Sequence, residues 1–155
     1  MYTLSKEDES IMIGKKWNGI LRLCIGILLF YVLLTPIPYP YPDTLVVADA
    51  SVSDEDIVRR IMEQQLTYYT RMGLLYPDRI FAYEIVRIIP TTDATKPKEP
   101  LYSVVYSVKN YWQSPAWTAG NGRIGEDHWI RNKSMIYRLV KDGSTYRLVA
   151  VGTGL

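Results

Sequence analysis

The alternation of apolar and polar positions splits the chain at about residue 43. Ahead of that point, Leu23 to Leu34 run without a charge or a strongly polar group. With Trp17, Ile20 and Leu21 in front and Thr35 to Tyr39 behind, the span reaches about 20 residues, the length a helix needs to cross a hydrocarbon core of roughly 30 Å. Beyond residue 43 the pattern changes twice. Ile57, Ile61, Gln64 or Gln65, Tyr68 and Met72 repeat at helical spacing, with Val58, Met62, Leu66 and Tyr69 widening the stripe. Ser53 before Asp54, Glu55 and Asp56 supplies a cap and the acidic first turn that opens such a helix. These features predict an amphipathic helix over about 54–72, ended by Gly73.

From Arg79 the period becomes two. Phe81, Tyr83, Ile85 and Ile89 alternate with Ala82, Glu84 and Ile88, which predicts a strand up to Pro90. After the polar loop TTDATKPKEP, Tyr102, Val104, Tyr106 and Val108 take one face and Ser103, Ser107 and Lys109 the other, the pattern of a strand with one wet face. A third strand is expected from about His128 to Val140 and a fourth from Tyr146 to Val151, joined at Asp142-Gly143, a strong hairpin signal. The expected fold is therefore α+β: a single transmembrane helix, then one long helix packed on a curved antiparallel sheet of at least four strands.

The flanks of the apolar span set the expected topology. Lys15, Lys16 and Arg22 lie on its amino-terminal side, and no Lys or Arg follows until Arg59. This asymmetry predicts an amino terminus in the cytoplasm and the carboxy-terminal part outside the cell membrane. Trp17 and Tyr39 stand where interfacial aromatic belts sit, and Arg22 is close enough to the end to reach the headgroups. The expected divisions are a tail over 1–16, an anchor over 17–39, a proline-rich stalk over 40–52 and an extracytoplasmic domain over 53–155. Pro36, Pro38, Pro40 and Pro42 bias the connection to extended backbone. Ala48-Asp49-Ala50 matches a cleavage rule, but it lies too far behind the apolar run for a usual signal peptide.

Composition narrows the chemistry. Eighteen Lys and Arg against sixteen Asp and Glu leave a net charge of +2 with no long basic run, which argues against a nucleic-acid partner. The single cysteine, Cys24, lies within the apolar run, so no intrachain disulfide or cysteine metal site can form. His128 is the only histidine, and Ser114 and Ser134 lack a nucleophile-elbow context. Glu126 and Asp127 would point to opposite faces of an extended chain, and Gly120-Asn121-Gly122 reads as a turn with no helix and lysine behind it. No catalytic residue, metal ligand or cofactor is expected, and the chain does not read as an enzyme.

Thirteen tyrosines and four tryptophans against two phenylalanines favour partly exposed surfaces and pocket rims. Three of the tryptophans, Trp112, Trp117 and Trp129, fall with Tyr111 in the long loop YWQSPAWTAGNGRIGEDHW. Loops of that length are more often functional than short ones, and tryptophan is enriched at interaction hot spots. These four residues are the candidate interaction surface, with Trp117 expected at the loop tip. The order of the helix SVSDEDIVRRIMEQQLTYYTRM and the terminal hairpin MIYRLVKDGSTYRLVAVG resembles cystatin-like domains, including the family named after nuclear transport factor 2. With its tail and anchor, the whole chain also resembles the single-span scaffold subunits of bacterial type IV secretion machines. That resemblance implies an interaction or scaffold domain of an envelope complex, with the lipid bilayer and a protein or a second copy as partners. The alternative is a small-molecule or peptide sensor using the concavity of the sheet.

Overall fold

The structure is a computed structural model and describes residues 6–34, 41–47, 51–92 and 100–153. Helix α2, Asp54–Thr70, starts where the capping signal places it: the Ser53 side chain accepts the Asp56 N–H at 3.2 Å. Its stripe of Ile57, Val58, Ile61, Met62 and Leu66 is buried against an antiparallel sheet. The strands are β1 (Thr44–Val46), β2 (Ala82–Thr91), β3 (Leu101–Lys109), β4 (Arg123–Ile124), β5 (Trp129–Asp142) and β6 (Thr145–Thr153). They lie in the order β1-β6-β5-β3-β2, with β4 on the first residues of β5. Gly143 takes a φ of +60° at the first position of the two-residue β5–β6 turn, which glycine adopts without steric cost.

The sheet curls around α2 because its ladders carry bulges. Register shifts fall between Ile85 and Arg87 of β2, between Tyr106 and Val108 opposite β5, and between Ile136 and Tyr137. Each extra residue bends its strand and increases the local twist. Tyr102, Val104, Tyr106 and Val108 of β3 all face the core, as the alternation predicts, and meet Tyr137 and Leu139 of β5 and Leu148 of β6 there. The α+β architecture and the antiparallel sheet agree with the sequence. A short helical turn, α3 (Pro115–Thr118), interrupts the segment read as one long loop.

The expected transmembrane helix is corrected. Helix α1 runs unbroken from Lys6 to Leu34, and among the described residues no helix is long and apolar enough to cross a membrane. Arg22 and the prolines give the reason. Between Arg22 and the helix end at Leu34 the uninterrupted apolar stretch is about 18 Å at 1.5 Å per residue, well short of roughly 30 Å. Pro36 stands two residues beyond the end of α1, and a proline disfavours helical backbone at the residue before it. From Ile20 to Val32 the large apolar side chains are exposed, as are Trp17 and Arg22. The Leu75 N–H donates to the Leu33 carbonyl at 2.9 Å, joining the end of α1 to the turn after α2. The side chains of Lys15 and Lys16, residues 35–40 with Tyr39, and the Ala48-Asp49-Ala50 segment lie outside the described residues.

Candidate functional site

A cavity of about 150 Å³ lies between α2 and the sheet. Four tyrosines from four parts of the chain reach it: Tyr41 from the segment before β1, Tyr69 from the last turn of α2, Tyr106 from β3 and Tyr137 from β5. Gln65 adds an amide from the buried face of α2, and Trp117 with Ala116 closes one side from α3. Each tyrosine is there for a local reason. Tyr106 and Tyr137 sit on the inward phase of their strands, and Tyr69 continues the α2 stripe four residues beyond Gln65. Tyr41 is held by edge contacts to Tyr68 and Tyr69, with ring centroids 5.5 and 6.1 Å apart.

The phenols stay neutral. Burial pushes Tyr106 up to about 12, and burial is also the largest cause raising Tyr41, Tyr69 and Tyr137. After burial, the nearby Tyr69 phenol is the next cause raising Tyr41, and the carboxylate of Asp78 further raises Tyr69. A neutral phenol both donates and accepts, so the cavity presents hydrogen-bonding oxygens within an aromatic wall. Among the described residues no group of three or more His, Cys, Asp and Glu side chains is placed to hold a metal ion.

The wall at Trp117 is built by a polar knot that sequence reasoning missed. Asn110 is fully buried; its amide N–H groups donate to the carbonyls of Pro77 and Arg79, both at 2.8 Å, and its oxygen accepts the Ser114 N–H at 2.8 Å. The Ser114 hydroxyl donates to the Asp78 carboxylate at 2.7 Å, and the Trp117 indole N–H donates to the Asp78 carbonyl at 2.8 Å. Trp117 is therefore 6% exposed, edge-on to Tyr69 at 4.9 Å, and is no loop tip. The signal that could have revealed this was Ser114-Pro115, a cap residue followed by proline at the first helical position.

The other candidate interaction residues lie elsewhere. Tyr111 packs on Phe81 and on His128 with centroids 4.6 and 4.7 Å apart, at the end of the sheet where β2 begins. Trp112 beside it is 52% exposed. Trp129 is half-buried under the Arg131 guanidinium, which pairs with Asp127 and holds that carboxyl down to about 2. The structure thus separates Trp117 from Tyr111, Trp112 and Trp129 and unites it with tyrosines that the sequence did not single out. Compared with protein-family models, with curated proteins and with solved structures, the chain has no match.

Proposed function

We propose that the domain binds a small molecule in the tyrosine-lined cavity, and that α1 holds the domain at a lipid bilayer. The observation that carries this reading is the convergence of four phenols and Gln65 on one volume beneath α2. A core optimised only for stability is packed to high density with aliphatic side chains and leaves few voids larger than a water molecule. This one keeps a space of about 150 Å³, a size at which an engineered cavity accepts benzene. The ligand is expected to be a ring-sized molecule bearing at least one oxygen. Calorimetric titration of the full chain with benzyl alcohol tests the idea, with the Ala116→Trp variant, which adds bulk at the exposed rim of the cavity, as control. Saturable binding lost in the variant supports it; no binding, or binding unaffected by the variant, refutes it.

The bilayer contact rests on α1. From Ile20 to Val32 its large apolar side chains are exposed, and a contiguous apolar surface of that extent marks a membrane or protein contact. The full chain should float with phosphatidylcholine vesicles, and Leu28→Lys together with Phe30→Lys should abolish flotation. A chain that stays at the bottom of the gradient would remove the membrane from the account. A second reading, an interaction domain that assembles with itself or with an envelope complex, is favoured by exposed Trp112 beside Tyr111 at the end of the sheet where the outer strand β2 begins. Pro90 and the bulge at Val86 disfavour strand pairing at that edge, which leaves Trp112 as the contact. Association in analytical ultracentrifugation that Trp112→Ala abolishes would favour this second reading.

A further inference from the structure

A lysine is turned into the core beside the tyrosine cavity. On β5 the bulge places Lys133 opposite Tyr106 and Ile130 opposite Val108, so three residues of β5 span two of β3. Asn132 absorbs the extra residue with a φ of +55°. Strict alternation from the buried Ile130 would put Lys133 on the wet face; the bulge moves it to the inner one. Lys133 is 6% exposed. Its ammonium donates to the carbonyls of Ala119 at 2.9 Å and Asn121 at 3.1 Å, and among the described residues no carboxylate forms an ion pair with it. An ammonium has three N–H donors, of which two find an acceptor among the described residues, and a buried cation without a counter-charge is costly.

Lys133 also lines a second cavity, about 230 Å³, that shares Tyr106 and Ala116 with the first and is otherwise bounded by Ala119, Gly120, Asn121, Ser134, Met135 and Thr153. We propose that the two cavities form one site for a small aromatic monocarboxylate. The ring occupies the tyrosine-lined half, and the carboxylate becomes the counter-ion of Lys133 by accepting its third N–H. One buried positive charge matches one negative charge, which favours a monocarboxylate over a phosphate dianion. The neutral phenols beside it supply donors rather than competing anions. This inference rests on the ligand-binding reading above and names its ligand class.

The test compares benzoate with benzamide, a neutral molecule of the same shape, by calorimetric titration into the full chain near pH 7. The expected result is benzoate binding at least ten times tighter than benzamide, with Lys133→Met reducing the ratio to about one and Lys133→Arg keeping part of it. Melting curves of both variants show whether each remains folded. If Lys133→Met does not fold, the benzoate-to-benzamide ratio of the unaltered chain decides alone. Equal binding of the two probes to the unaltered chain would overturn the assignment: Lys133 would then only clasp the 119–121 loop, and the ligand-binding reading would stand. Binding of neither probe would overturn both.

Discussion

Trp117→Ala is the substitution whose outcome depends most on where the structure puts the ring. The indole is buried, packs edge-on to Tyr69 at 4.9 Å and donates to the Asp78 carbonyl at 2.8 Å. Removing a buried aromatic side chain costs about 3–5 kcal/mol. The hole opens into a cavity that already exists and has polar walls, so water can enter, which favours the lower end of that range. The lost hydrogen bond from the indole to the Asp78 carbonyl adds about 1 kcal/mol. For a domain of about 100 residues, roughly 3 kcal/mol corresponds to a fall in Tm of at least about 12 °C. Thermal unfolding followed by near-ultraviolet circular dichroism measures it, and Trp117→Phe, which keeps a ring against Tyr69, should lose about half as much. A Tm unchanged within about 2 °C would mean that the ring is free in solution, as expected of a loop tip, and that the cavity wall drawn here is wrong.

Three further outcomes follow from the same geometry. Ser53→Ala removes the acceptor of the Asp56 N–H and should cost about 1 kcal/mol, measured by chemical denaturation. The Asp127 carboxyl should titrate near 2 by nuclear magnetic resonance and return towards its usual 3.8 in Arg131→Gln; because its folded value is the lower one, the small stability it adds is present above pH 4 and is lost as pH falls towards 2. Tyr106 has its folded value raised from 10.0 to about 12, so its contribution is intact below pH 10 and lost as pH rises towards 12; phenolate absorbance should lag behind that of exposed tyrosines and appear together with unfolding.

Helix α2, strand β3 and the β5–β6 hairpin were legible because each depends on signals within its own residues: a cap and a 3.6-residue stripe, a two-residue alternation, and Asp142-Gly143. What the sequence concealed depends on contacts between distant segments. Tyr41 reads as part of a proline-rich stalk, yet it is drawn to α2 by Tyr68 and Tyr69. Strand β1 has three residues, too few for a period, and exists because the edge of β6 accepts it. The inward turn of Lys133 follows from one bulged residue at Asn132, and alternation has no means of announcing a bulge. The site draws on the first and third of these features, Tyr41 and Lys133, which is why the sequence pointed to the tryptophan-rich loop and not to the tyrosines. Helix α1 shows the opposite error: apolar content over about 20 residues reads as a span, while Arg22 and Pro36 confine the uninterrupted apolar helix to a shorter stretch.

The central claim is that the space beneath α2 is a binding site, and the Trp117 indole N–H is its reporter because it lies in the wall while Trp112 lies outside. Two-dimensional proton–nitrogen spectra of the full chain, titrated with benzoate, should show the Trp117 indole resonance moving saturably while that of Trp112 stays in place. Equal, non-saturating drift of both resonances would contradict the account and leave the cavity as a water-filled gap in the core.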